Sequence, residues 1–330
     1  MRDVIDMEHT DNKSNILLVE KRIIKDVLRV NEGMTIGMSN LEDIFNFRLA
    51  GMTLYLYDYS ILSLEQNLSE ILRKIWRINE ERNRTLLQEI INIDSFLAEK
   101  EVQHIWIKGI RDIIFEKDSL GMRKMIDADL LVSKQIDIKT ILNEYGLKQG
   151  NVTRSGEIFY PKNEEEIVLA ERGHYEYVPF VKKLFIRDCE PVGLHDNVMR
   201  RFRLFKYKNQ YYTDFVLDVH HALTNGLAFS EGLKSGYLPT MSEMDDLWYC
   251  MNKSYYEVIR GQKRDLQIVL TTMEKYRRSR FDISDISYRF KNVASSLYNE
   301  NVFSAYRGLL DGDSAVLNAL IERLRGEKNG

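Results

Sequence analysis

Apolar residues recur every three or four positions through the first hundred residues, and the period then changes. From Asn15 to Val30, Ile16, Leu17, Val19, Ile23, Ile24, Val27 and Leu28 fall at helical spacing. Residues 1–14 are polar and mixed in charge and are expected to fray. Leu62 to Glu99 predicts a long helix with at most one break, its stripe carried by Leu68, Ile71, Leu72, Ile75, Ile78, Leu86, Leu87, Ile90, Ile91 and Phe96. At Val102 short β-prone runs take over. His104–Ile107 reads as a strand that stops at Lys108–Gly109, Ile110–Glu116 as a short helix, and Ile126–Val132 as a second strand. Ile136–Tyr145 is helical, with Gly146 placed to cap it. Several strand-like stretches lie between Gly156 and Asp218, where Arg201–Phe205 and Tyr211–Val219 flank a turn at Lys208–Asn209–Gln210. Beyond Leu238 the pattern is helical to the end. It predicts an α+β protein: a helical region at 1–100, a core at 101–238 with a small mixed β-sheet, and a helical region at 239–330.

Composition narrows the class. A chain of 330 residues with 44% hydrophobic and 29% charged positions can bury a substantial core. A net charge of −3 gives no electrostatic reason to expect nucleic acid as a partner. Cys189 and Cys250 are far apart and form no CxxC, so neither a disulfide framework nor a zinc ribbon is expected, and a cytoplasmic setting fits. The first 14 residues lack the apolar core of a secretory signal, and no apolar run reaches the roughly 18 residues of a membrane span.

The sharpest chemical feature is Asp127–Ala128–Asp129–Leu130–Leu131–Val132. On a strand, positions i and i+2 share a face, so Asp127 and Asp129 project together and need a neutralising partner. A hard divalent cation with oxygen ligands suits two carboxylates plus substrate phosphates. A bare Asp-x-Asp is more often a solvated strand edge, but the surroundings here are basic. Lys108–Gly109 sits between a strand and a helix, where Gly allows close backbone approach and a helix N-terminus favours an anion. Arg123 and Lys124 precede Asp127 by four and three residues. Further on, Asp218 and His220 share one face of another apolar strand, and Asp218 is a candidate third carboxylate. The bland alternative is that Asp218 and His220 only bond each other.

These residues are similar to a known family. Ile107–Lys108–Gly109, Arg123, Asp127–Ala128–Asp129–Leu130–Leu131–Val132 and Gly146, with a later Asp-x-His strand, resemble the uncharacterised nucleotidyltransferase family of bacteria. The resemblance spans roughly residues 60–310 and is densest at 104–147. That family looks like a branch of the polymerase-β-type nucleotidyltransferase superfamily. The resemblance implies a nucleotidyltransferase-type sheet with Asp127, Asp129 and Asp218 as catalytic metal ligands. It places Lys108, Gly109, Arg123 and His220 around the nucleotide, with Lys108–Gly109 standing where relatives in the superfamily carry Gly-Ser. It also implies Mg²⁺, or Mn²⁺ in its place, an NTP donor with ATP favoured, and an unidentified acceptor such as a metabolite, peptide or protein. Two other readings stay open: an inactive relative that binds or scaffolds, and a metal-dependent phosphoesterase.

Other features carry weaker expectations. Arg172–Gly173–His174–Tyr175 is either a nucleotide or acceptor contact or a structurally bonded His. Lys275, Arg277, Arg278 and Arg280 are expected as a solvated helix end, and Arg200, Arg201, Arg203, Lys206 and Lys208 as the outer face of a strand. Trp76, Trp106 and Trp248 are expected in the core. Ser155–Gly156 and Ser235–Gly236 are turn signals with no Ser-His-Asp setting.

Overall fold

The computed structural model describes residues 2–115, 119–133, 135–161, 163–174, 176–186, 193–221, 238–293 and 299–326; Tyr175, Cys189 and Ser235–Gly236 lie outside them. The architecture is α+β, a small mixed sheet with flanking helices. The chain divides into two compact units, residues 1–73 with 243–330, and residues 74–242. No helix among the described residues is long and apolar enough to cross a membrane.

The first unit is helical. Helix Arg2–Val27 starts well before the expected fraying point and packs against Leu266–Arg278, Glu300–Leu310 and Ser314–Arg325. No Pro or Gly interrupts residues 2–27, so the backbone has nothing to break it. The basic cluster at the end of Leu266–Arg278 is not the solvated end that its sequence predicts. Lys275 is buried and paired with Asp246 at 2.5 Å. Arg277 and Arg278 both donate to Glu274 at 2.6 Å, and the Tyr55 hydroxyl donates to the same carboxylate at 2.7 Å. Only Arg280 of the four is exposed. The buried acids of other turns and helices pull these cations inward, because a buried carboxylate requires a charged partner. Trp248 stacks on Phe290 with ring centroids 4.1 Å apart.

The second unit is built on the long helix Gln66–Glu99 from Lys74 onward and on the main sheet. The strands are β1 (His104–Ile107), β2 (Ala128–Val132), β3 (Lys148–Gln149), β4 (Asn151–Val152), β5 (Ile158–Phe159), β6 (Phe180–Ile186), β7 (Phe205–Tyr207) and β8 (Gln210–His220). The sheet order is β1-β2-β8-β6-β3, with β7 pairing the start of β8 and β4-β5 forming a separate small ribbon. Only β2 and β8 run parallel; the other pairings are antiparallel. Alternation divides the sheet's faces. Trp106, Leu130, Val132, Phe180, Phe215, Leu217 and Val219 join Leu86, Ile90, Ile93 and Leu97 of the long helix in one apolar core. Asp129, Asp218 and His220 fall on the opposite face; β2 starts at Ala128, two residues later than the pattern predicts, so Asp127 precedes the strand, with its charge still acting on Asp218.

Polar residues of the long helix fasten this arrangement. Asn79 donates to the Gly121 carbonyl, Arg82 to the Met125 carbonyl, and Asn83 to those of Leu120 and Arg123. Arg82, fully buried, also donates to Thr213 on β8 at 3.0 Å. Asp94 accepts from the Trp106 indole at 2.8 Å and holds His104 at 2.7 Å, anchoring β1. Gly121 lies against the half-buried Trp76 indole, where a Cβ would collide. In the hairpin, β7 begins at Phe205; Arg200 and Arg201 end the helix Asp196–Arg201 instead of lining a strand. Arg203 turns in the left-handed region, φ +56, to fork onto the fully buried Asp214 carboxylate. Lys206 and Lys208 remain on the exposed hairpin.

In the first unit Glu20 is fully buried, and among the described residues neither carboxylate oxygen finds a hydrogen-bond partner. Burial, and then the nearby Glu274 charge, push its pKa well above the ordinary glutamate value. A raised carboxyl favours folding while it stays protonated, and that contribution is lost as pH rises through the folded-state pKa. Glu20→Gln is therefore expected to stabilise the protein at pH 8, with the gain shrinking toward pH 4. Denaturant melts of both proteins at the two pH values measure this; a difference independent of pH would contradict it.

Candidate active site

Sheet register brings the acids together. In the parallel pair β2–β8, Asp129 lies opposite Asp218 and Leu131 opposite His220. In the antiparallel pair β1–β2, Ile107 lies opposite Asp129, so the residue after Ile107 emerges beside that carboxylate. That residue is Lys108. Its backbone adopts φ +60, an uncommon conformation for a side chain with a Cβ, as the chain leaves β1 for the helix Gly109–Phe115. The Lys108 ammonium pairs with Asp129 Oδ1 and lies 3.4 Å from His220 Nε2.

His220 completes a row across the site. Its Nε2 is 2.9 Å from Asp129 Oδ1 and its Nδ1 is 3.4 Å from Glu176 Oε2. Asp129 is 3% exposed and His220 1% exposed, so both are held in a largely water-free setting. Asp127 and Asp218 are half-buried. Burial, and then the charges of Asp129 and Asp127, push Asp218 up to about 8, with Lys108 pulling the other way. Removal of the carboxylate from water is the larger cause, and the two neighbouring acids add to it.

The other basic candidates sit differently. Arg123 pairs with Asp112 at 2.5 Å, and Asp112 is 4% exposed on the helix Gly109–Phe115. The guanidinium lies directly over Gly109, where a Cβ would come 2.8 Å from Cζ. Gly at 109 thus admits the arginine against the backbone, close to Lys108. Lys124 stands over the Phe202 ring at 5.7 Å. His221 bonds the His174 backbone carbonyl at 3.1 Å and meets the Tyr177 ring edge-on.

Two participants were not singled out from the sequence. Glu176 reaches the site because its backbone bridges antiparallel to His220; alone in an aromatic-rich stretch, it offers no local pattern. Asp112 sits five residues past β1 and is recognisable only through its long-range pair with Arg123.

A family model described as an uncharacterised nucleotidyltransferase matches residues 56–242. The chain belongs to that family. No curated protein and no solved structure matches it. In this nucleotidyltransferase the matched segment includes all of the second unit, and with it every candidate site residue.

The donor set suits a hard divalent cation in kind, since Asp127, Asp129 and Asp218 offer only carboxylate oxygens. Among the described residues, however, no three His, Cys, Asp or Glu side chains are gathered closely enough to enclose an ion. Asp129 is instead engaged by Lys108. Asp127 and Asp218 have no side-chain hydrogen bond or ion pair among the described residues.

Because Asp112 is buried, Arg123→Ala is expected to cost about 3 kcal/mol by stranding its charge. Adding Asp112→Asn should recover most of that loss in denaturant melts; equal destabilisation of single and double variants would contradict a charge-based role. In metal-free buffer the acids should also separate. Asp218→Asn relieves repulsion and should raise the melting temperature, whereas Asp129→Asn strands Lys108 and should lower it. Shifts of the same sign would show that the Lys108–Asp129 pair does not matter to stability.

Proposed function

We propose that this nucleotidyltransferase is a Mg²⁺-dependent enzyme that transfers a nucleoside monophosphate from an NTP, ATP first among candidates, to an acceptor nucleophile. The observation that carries the reading is the register of Asp129 against Asp218 on adjacent parallel strands, with Asp127 two residues before, inside the family-matched segment. This is the acid arrangement by which the chain resembles the polymerase-β-type superfamily. Mg²⁺, or Mn²⁺, bound by these acids would neutralise charge building on the α-phosphate and the departing pyrophosphate.

The chain's own residues supply the rest. Asp218, at the centre of the acid group, is placed to orient an acceptor hydroxyl and accept its proton. Lys108 and the turn into the helix Gly109–Phe115 put positive charge at the mouth of the acid group, the side from which a triphosphate would be held. Arg123 stiffens that turn by lying over Gly109. His220, clamped between Asp129 and Glu176, fixes the Asp129 carboxylate. The acceptor is a small molecule, peptide or protein nucleophile, and the chain's charge of −3 offers no attraction for nucleic acid. The second reading, an inactive fold that binds without transferring, is favoured by one observation: Lys108 already satisfies Asp129.

Pyrophosphate release from each NTP with Mg²⁺, using cell extract as the source of acceptor, separates the two. Asp127→Asn, Asp129→Asn and Asp218→Asn should each lower acceptor-dependent release by about two orders of magnitude or more. Double variants should lose little further, since the three act as one unit. Release that persists in Asp218→Asn would remove the catalytic assignment, and silence of the wild type with every nucleotide would establish the binding reading.

A further inference from the structure

We propose that Lys108 is a built-in counter-cation that replaces one metal ion at this site, so that the nucleotide arrives with a single divalent cation held by Asp127 and Asp218. The inference rests on the nucleotidyl-transfer reading and narrows which acids touch the ion. Three carboxylates are enough donors for two metal ions clamping a phosphoryl displacement. Here one of the three is already spoken for. The Lys108 ammonium sits on Asp129 Oδ1, and His220 Nε2 approaches the same oxygen at 2.9 Å. Asp129 is 3% exposed, so its charge cannot be left to water and needs a fixed partner.

The backbone is shaped for this contact. Ile107 pairs with Asp129 across β1–β2, and the left-handed turn at Lys108 starts the lysine stem beside that carboxylate. A lysine at φ +60 is held in a disfavoured backbone conformation, and the surrounding structure must compensate it. His220 is in turn held from its far side by Glu176 at 3.4 Å, so the Asp129 end of the site is braced by side chains throughout. Asp127 and Asp218 differ: among the described residues no side chain pairs with either by hydrogen bond or ion pair. Two carboxylates plus phosphate oxygens and water are a usual complement for one Mg²⁺. A lysine brings one charge where a metal brings two, but it cannot dissociate, so the site loses its dependence on a second, weakly bound ion.

The test counts ions instead of turnover. Mn²⁺ bound per chain is titrated by electron paramagnetic resonance in the presence of each of the four α,β-methylene NTPs. Wild type is expected to hold one Mn²⁺ per chain, and Lys108→Met two, because Asp129 is released as a ligand. Asp129→Asn should keep the single ion, with a smaller loss of affinity that reflects the unpaired Lys108 charge nearby, whereas Asp218→Asn should weaken it at least tenfold. Circular dichroism checks each variant's fold; if Lys108→Met does not fold, Asp129→Asn decides alone. Two ions in wild type, one in folded Lys108→Met, or loss of the ion in Asp129→Asn would each overturn the inference and leave the nucleotidyl-transfer reading standing. Absence of Mn²⁺ binding with all four nucleotides would overturn that reading, and the inference with it.

Discussion

The site depends on a row of polar side chains buried along one helix. Asn79, Arg82 and Asn83 reach from the long helix to the carbonyls of Leu120, Gly121, Arg123 and Met125, the segment that delivers the chain into Asp127. Leu120 and Gly121 lie in the single turn Ser119–Met122, whose carbonyls have no partner further along the helix, and residues 123–127 are irregular, so these backbone acceptors need partners from elsewhere. Arg82 does more than satisfy a carbonyl. By also holding Thr213 it ties the approach to β2 to the middle of β8, and so fixes the spacing of the two strands that carry the acids. A buried arginine is costly to desolvate, and its retention here is explained by the geometry it imposes.

Charge is distributed over the site in two parts that behave differently. Asp129 is engaged by Lys108 and His220, and His220 is held in turn by Glu176. Asp218 has Lys108 as its opposing charge, and burial together with the charges of Asp129 and Asp127 raises its pKa. The basic residues that look interchangeable in the sequence are therefore not equivalent. Lys108 answers to the acids, while Arg123 answers to Asp112 and supports the turn. Gly109 serves both, because its missing side chain leaves room for the guanidinium.

Local pattern made much of this legible. The apolar run His104–Ile107 coincides with β1, and the long amphipathic helix closes at Glu99 as its stripe indicates. The strand with Asp218 and His220 at alternate positions was readable because period-2 spacing puts i and i+2 on one face, whereas Asp127 stands just ahead of β2. What the sequence hides is pairing at a distance. Arg201–Phe205 alternates like a strand, yet Arg203 is bent toward Asp214 and the strand begins only at Phe205. Lys275 reads as part of a solvent-facing helix end because its partner Asp246 is on another helix, whereas Arg277 and Arg278 grip Glu274 one turn back, a spacing the sequence does carry. Glu176 belongs to the site through a single bridge to β8, which leaves no trace in composition.

The division of the chain bears on how it is made. The helical unit is discontinuous, drawing on residues 1–73 and 243–330, while residues 74–242 form the other unit without interruption. During synthesis from the N-terminus, the sheet has all its strands once His220 leaves the ribosome. Helix Arg2–Val27 must wait for Leu266–Arg278 and the helices after it before its apolar face is covered. Helix Arg2–Val27 is thus made well before most of the helices that cover it, and its apolar face stays open in the nascent chain for that interval.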